Sequence, residues 1–250
     1  MTASISAERA VESLQLRLLR GVRALADQLR RPEDTETQSA ARREFLQVKE
    51  LCIEELSDAF GDERSGYSVF SGPLHLANLL IAADRDMIGA ALSHLPAPSG
   101  VDAAAWTQIA QRMAQSRPFL WRNHRQAIEQ GLLERGRSAV ISFPTGGGKS
   151  TLAELKIAAA LLTGKQVVFL APTHALISQT AKALQKTFSG NSVFGDVDEG
   201  VTLAAIVERR EILVTTPERC QVLLAMQPEA FANLGLIVFD ECHLLHARTD

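Results

Sequence analysis

Ser138-Ala139-Val140-Ile141-Ser142-Phe143 runs without interruption into Pro144-Thr145-Gly146-Gly147-Gly148-Lys149-Ser150. The apolar run predicts a buried strand, the glycine cluster a turn, and the pattern from Lys149 to Leu162 a helix stopped by Thr163-Gly164. A glycine turn between a strand and a helix suits phosphate. Glycines let backbone N–H groups turn inward with no Cβ in the way, and the helix adds the positive end of its dipole. Lys149 is placed to reach the β- and γ-phosphates and the Ser150 hydroxyl to coordinate Mg²⁺. Thr145, Gly146, Gly147, Gly148 and Thr151 complete the candidate nucleotide-contacting set. The general pattern G-x-x-x-x-G-K-[ST] has Phe143 where its first glycine belongs.

Downstream, apolar runs at Val167–Leu170, Ile212–Val214 and Leu236–Phe239 alternate with helical stretches, including Ala175–Phe188. That alternation predicts parallel βαβ units with helices on both sheet faces. The last run leads directly into Asp240-Glu241-Cys242-His243, with Asp240 91 positions after Lys149. Parallel strands deliver their end residues to the edge where a phosphate loop sits. Asp240 is the candidate Mg²⁺ carboxylate, acting through water, and Glu241 the group that orients and polarises an attacking water. Phosphoryl transfer needs positioning and charge neutralisation more than covalent chemistry, so these few groups suffice on this side of a site.

Upstream the texture is helical. Val11, Leu14, Leu18, Val22, Leu25 and Leu29 recur every three or four residues, with Arg9, Arg17, Arg20, Arg23 and Arg30 mostly off that stripe. Pro32 breaks the pattern, and Thr35-Glu36-Thr37-Gln38 offers a capping box before a second amphipathic run through Phe45, Val48, Cys52, Leu56 and Phe60. Gly61 to Gly72 reads as a loop. Leu74–Leu95 reads as a third helical region with a break near Asp84-Arg85-Asp86. Pro96-Ala97-Pro98-Ser99-Gly100 reads as a linker, followed by one more helix to Ser116. The expected organisation is a helical domain at 1–95, a linker and helix at 96–117, and a truncated nucleotide-binding domain at 118–250.

Composition bounds the function. The 250 residues are 46% hydrophobic and carry a formal charge of −3, which excludes a protein that coats nucleic acid by bulk positive charge but leaves room for a local basic groove. Aromatic residues are 5%, too few for an extensive base-stacking surface. No apolar run approaches the roughly 18 residues of a membrane span, and MTASISAERA lacks the pattern of a signal peptide. Cys52, Cys220 and Cys242 have no metal or disulfide spacing, which fits a cytoplasmic protein.

With its DECH box and its Pro-Thr-Gly-Gly-Gly-Lys-Ser loop, the chain resembles the superfamily 2 helicases of the DEAD/DEAH type, and the loop is similar to that of the RecQ branch. Two further segments agree. Ala171-Pro172-Thr173-His174-Ala175-Leu176-Ile177-Ser178-Gln179 resembles motif Ia, and Thr215-Thr216-Pro217-Glu218-Arg219 resembles motif Ib. The resemblance covers Phe119 to Ala247 and implies an incomplete RecA-like sheet preceded by an all-α domain. It also implies an ATP- and Mg²⁺-dependent motor on single-stranded or partly duplex nucleic acid, DNA favoured. In that family the loops around Pro172, Thr173 and His174, and around Thr216, Pro217, Glu218 and Arg219, contact the nucleic-acid backbone, positioning it without reading its sequence. The resemblance also implies that His243 links the ATP site to later motifs. The family reads adenine with a glutamine upstream. Spacing puts His124 at that position, with Gln126 two places later; both join the candidate nucleotide-contacting set, and adenine selectivity is left open. Trp121 reads as a helix-packing aromatic, the alternative being a base-stacking one. Cys242 stands where RecQ-type enzymes carry alanine, and His174 where motif Ia often carries arginine.

The chain stops at Asp250, before any Ser-Ala-Thr segment, second RecA-like domain or arginine finger. The resemblance therefore implies the N-terminal portion of a longer protein, and a fragment nearly inactive by itself. Two other functions fit the same motifs: a nucleotide-dependent switch that regulates the helical domain or a protein partner without unwinding, and an unrelated phosphate-loop ATPase with a coincidental DECH.

Overall fold

The computed structural model of the chain describes residues 2–30, 40–57, 64–195 and 211–242, with backbone alone at 2–7 and 54–68. Two compact units emerge: Met1–Leu95 with Arg117–Leu120, and Pro96–Ser116 with Trp121–Asp250.

The first unit contains α1 (Thr2–Arg30), α2 (Ala40–Leu51), β1 (Ile53–Ser57), β2 (Arg64–Ser68), α3 (Ser71–Ala90) and a 3₁₀ turn at Leu92–His94. Its core joins Leu14, Leu18 and Leu25 of α1 to Ala41, Phe45 and Val48 of α2 and Ala77 of α3. The buried stripe of α1 differs from the expected one: Val22 is 42% exposed, and Gly21 takes the place at the contact. A Cβ there would stand 2.3 Å from Phe45 Cε1, so the missing side chain is what lets α2 approach.

The predicted second helix does not continue to Phe60. α2 ends at Leu51, and the chain turns into an antiparallel ladder with Ile53 opposite Ser68 and Ser57 opposite Arg64. Residues four apart share a face in a strand as well as in a helix, so Cys52 and Leu56 could not distinguish the two. The expected Gly61–Gly72 loop likewise holds β2, and this unit is mostly rather than wholly helical. α3 runs unbroken through Asp84-Arg85-Asp86 because Asp84 faces inward, only 4% exposed, with Arg42 Nη1 at 3.9 Å. Pro32, the Thr35–Gln38 capping box and Phe60 lie outside the described residues.

In the second unit, α4 (Ala103–Ala114) starts at Asp102, whose Oδ1 accepts from Ala105 N at 2.8 Å. Then come α5 (Arg122–Glu129), α6 (Lys149–Leu162), β3 (Gln166–Leu170), α7 (His174–Thr187), β4 (Val193–Gly195), β5 (Ile212–Thr215), α8 (Pro217–Met226), a 3₁₀ turn at Pro228–Phe231, and β6 (Leu234–Phe239). The sheet order is β4-β5-β3-β6, all parallel, with Val168 opposite Leu213 and Ile237. Alternation separates the faces. Val168, Leu170 and Leu213 pack with Leu223 of α8 on one face. On the other, Gly195, paired with Val214, lies against Ala181 and Ile177 of α7. Glu154 of α6 accepts from Thr187 Oγ1 of α7 at 3.3 Å, which places α6 on the α7 side. Helices thus cover both faces, and the arrangement is an incomplete RecA-like sheet.

One predicted strand is absent. Residues 138–144 have no regular structure, and Val140 is 85% exposed. A strand exists through hydrogen bonds from a neighbour, and among the described residues nothing pairs with this segment. The outer edge of β6 is likewise unpaired among the described residues, leaving Ile237 44% and Phe239 49% exposed. No described helix is long and apolar enough to cross a membrane.

Candidate nucleotide-binding site

α6 ends one tight turn before β3 begins and packs on β3 and β6, so it runs back against the strand direction. Its N-terminus, with Lys149 and Ser150, therefore stands at the edge where the parallel strands end. At that edge the strand ends are tied together: Ala171 N donates to Thr215 O at 3.0 Å, and Asp240 N to Leu170 O at 2.9 Å. The glycine loop, the acidic pair and both candidate backbone-contacting loops share one rim of the sheet.

The loop's shape depends on its glycines. Gly147 N donates to Pro144 O at 2.9 Å, closing the turn. Gly146 and Gly148 have φ of +79° and +78°, where an L side chain is strained. Gly148 precedes the first helical residue and no side chain caps α6; Thr151 N donates to Gly148 O at 3.0 Å, and the N–H groups ahead of it have no carbonyl one turn back to bond. Thr145, Lys149 and Ser150 are exposed, whereas Thr151 is 7% exposed and faces inward. Lys149 Nζ donates to Phe143 O at 3.1 Å, a contact the ammonium can exchange for phosphate oxygens.

Asp240 is half-buried, and its Oδ1 accepts from Glu241 N at 3.1 Å. Glu241 is exposed and has φ of +49°, the only positive value at a non-glycine residue among those described. No described group of three or more His, Cys, Asp or Glu side chains could hold a metal by itself. One hydroxyl and one carboxylate, Ser150 and Asp240, fit a Mg²⁺ whose other ligands are phosphate oxygens and water. Thr173 and Thr216 cap their helices: Thr173 Oγ1 accepts from Leu176 N at 3.3 Å and Thr216 Oγ1 from Arg219 N at 3.2 Å. Pro217 occupies the first turn of α8, beside exposed Glu218. Pro172 is half-buried and His174 exposed. His243 lies outside the described residues.

His124 and Gln126 part company. His124 is 3% exposed, with Nδ1 accepting from Trp121 N at 3.3 Å and Nε2 3.1 Å from Gly147 O. Gln126 is exposed, about 200° further round α5. Asn123, which sequence reasoning passed over, donates through Nδ2 to the same Gly147 oxygen at 3.1 Å. Trp121 is 58% exposed and lies parallel to the His124 ring at 5.8 Å, so it neither packs into a helical interface nor stands free. Lys156 of α6 also went unremarked. Its Nζ donates to Leu132 O and Glu134 O, both at 2.6 Å, holding the turn after α5 onto α6. Burial pulls its pKa below the usual lysine value, against the attraction of Glu134.

The fold and rim define a class: a parallel α/β domain with a glycine loop at a helix N-terminus and an acidic pair beside it. The DEAD/DEAH box helicase family matches residues 121–249, just over half of the chain, and the chain belongs to that family. The "ATP-dependent DNA helicase Hel308" of Methanococcus vannielii is 30% identical over 132 residues, covering 48% of this chain and 17% of that protein. The Arabidopsis thaliana "DExH-box ATP-dependent RNA helicase DExH10" is 29% identical over 124 residues, covering 49% and 12%. The chain thus spans less than a fifth of the length of these relatives, neither of which bears a RecQ name. Among solved structures, the "DUF1998 helicase MrfA bound to DNA" aligns at 20% identity with a TM-score of 0.47, covering 60% of this chain and 22% of that one.

Proposed function

We propose that this chain supplies the first RecA-like, ATP-binding half of an ATP-dependent nucleic-acid helicase or translocase, with DNA as the favoured substrate. The observation that carries the proposal is the shared rim: Asp240 N bonded to Leu170 O at 2.9 Å, at the sheet edge where α6 presents Lys149. In this reading Lys149 and the first-turn N–H groups of α6 bind the β- and γ-phosphates. Ser150 and Asp240 hold Mg²⁺, which supplies charge neutralisation when bound. Glu241 positions the water that attacks the γ-phosphorus and accepts its proton. The loops at 172–174 and 216–219 lie on the same rim and take the sugar–phosphate backbone of a strand, through N–H groups at the starts of α7 and α8. His243, three residues beyond Asp240, couples the two. DNA is favoured because the glycine loop resembles that of DNA-acting enzymes and a Hel308 relative is named as a DNA helicase. The RNA helicase among the relatives makes RNA the comparison to run.

The test is ATP hydrolysis by the complete protein with and without single-stranded DNA or RNA. The proposal expects strand-stimulated turnover, greater with DNA, and its loss in Lys149→Ala and Glu241→Gln. Turnover unaffected by either substitution rejects the site. Nucleotide-dependent protein binding with no response to nucleic acid would instead identify a switch.

A further inference from the structure

We infer that His124 is a positioning residue that fixes the Gly147–Gly148 peptide of the phosphate loop, and that the site in consequence takes nucleoside triphosphates without selecting the base. This rests on the nucleotide site proposed above and names its specificity.

The bonding of the imidazole determines its protonation pattern. The Trp121 backbone N–H can only donate, so Nδ1, 3.3 Å away, carries a lone pair. The Gly147 carbonyl can only accept, so Nε2, 3.1 Å away, carries the hydrogen. Asn123 Nδ2 donates to the same oxygen at 3.1 Å. Two donors thus pull the Gly147 carbonyl towards α5. The peptide is trans and planar, so its other polar group, the Gly148 N–H, points the opposite way, into the mouth of the loop where a phosphate oxygen would sit. The ring has little freedom to move. Trp121 lies parallel to it at 5.8 Å, Phe143 is tilted against it at 6.3 Å, and a Cβ on Gly148 would come within 2.2 Å of Nε2.

The same contacts remove His124 from base recognition. Both ring nitrogens are engaged within the chain and the residue is 3% exposed, so no polar edge is left for a purine or pyrimidine. Gln126 is exposed, about 200° round α5 from His124. What α5 contributes to the site is therefore shape at the triphosphate, which every nucleoside triphosphate shares.

The experiment is steady-state hydrolysis of ATP, GTP, CTP and UTP by the complete protein, beside His124→Ala, His124→Gln, Asn123→Ala and Lys149→Ala, with the melting temperature of each variant. In the unsubstituted protein, kcat/KM should agree across the four within about threefold, less than one hydrogen bond to the base would give. His124→Ala should raise KM about tenfold for all four alike, with a smaller change in kcat. His124→Gln, which keeps a donor able to reach Gly147 O, should recover most of that loss. Asn123→Ala, the gentler variant should His124→Ala fold poorly, should raise KM less but with the same indifference to base. A preference for ATP of tenfold or more that collapses in His124→Ala overturns the inference, because the ring would then be reading the base. Turnover lost in Lys149→Ala yet untouched by His124→Ala and Asn123→Ala also overturns it, and leaves the nucleotide site standing. Lack of turnover with any triphosphate, with Lys149→Ala indistinguishable, removes the site and this inference together.

Discussion

Gly148→Ala puts the geometry of the proposed phosphate loop to a quantitative test. Position 148 has φ of +78°, which costs an L residue roughly 1–2 kcal/mol. The new methyl would also stand 2.2 Å from His124 Nε2, inside contact distance, so the buried ring must move and release Gly147 O. Losing that bond adds about 1 kcal/mol. Together about 2–3 kcal/mol is taken from the loop's binding shape, a weakening of triphosphate binding of roughly 30- to 150-fold. Gly146→Ala is the internal control: φ is +79° but nothing lies within 4 Å of its Cβ, so only the backbone cost applies. Titration of a fluorescent ATP analogue measures each variant. The decisive comparison is Gly148→Ala in a His124→Ala background, where the overlap is gone and about 1 kcal/mol of coupling should appear. If alanine at 148 costs as much with the ring absent as with it present, the packing of His124 under the loop is refuted.

Elsewhere the two units offer simpler tests. Gly21→Ala gains about 1 kcal/mol of helix propensity but drives a methyl against fully buried Phe45, so urea unfolding should show a net loss of about 1–2 kcal/mol. Gly72→Ala, with open space around its Cβ in the first turn of α3, should instead stabilise by up to about 0.5 kcal/mol. Lys156→Met leaves the carbonyls of Leu132 and Glu134 without their ammonium and should cost about 2–3 kcal/mol, with faster proteolysis near residues 130–137. Asp84 is buried with Oδ1 unpaired, and burial raises its pKa above the usual carboxylate value despite Arg42. Its folded form holds the proton more tightly, so stability falls as pH rises from the unfolded pKa through the folded one. Asp84→Asn should therefore melt roughly 2–4 °C higher at pH 7, and the gain should shrink as thermal scans are repeated towards pH 4.

The parallel sheet was legible because its signals are local. Val167–Leu170, Ile212–Val214 and Leu236–Phe239 are apolar on both faces, as strands covered by helices must be. The rim residues followed from chain direction alone, since parallel strands must end together. What was illegible depended on partners. Ser138–Phe143 has the composition of a strand but no described neighbour to bond with. The Ile53–Ser68 ladder hid inside a spacing that serves helix and strand equally. β4 is only three residues long, too short to stand out from its surroundings. Asp84 looked like a helix break because a charge in an apolar run suggests solvent, yet it is buried. Spacing alone picks out His124 along the chain. Its direction, inward to Gly147 rather than outward to a base, depends on a contact 23 residues away that periodicity does not carry.

Glu241 sits in the left-handed backbone region, a conformation that glycine or asparagine adopts more readily. Selection of this protein for heat resistance alone would be drawn to that codon, since Glu241→Gly relaxes the backbone while deleting the carboxylate proposed to steer water. Thermostable variants recovered in such a screen should be sequenced at this codon before their folding is taken as a sign of competence.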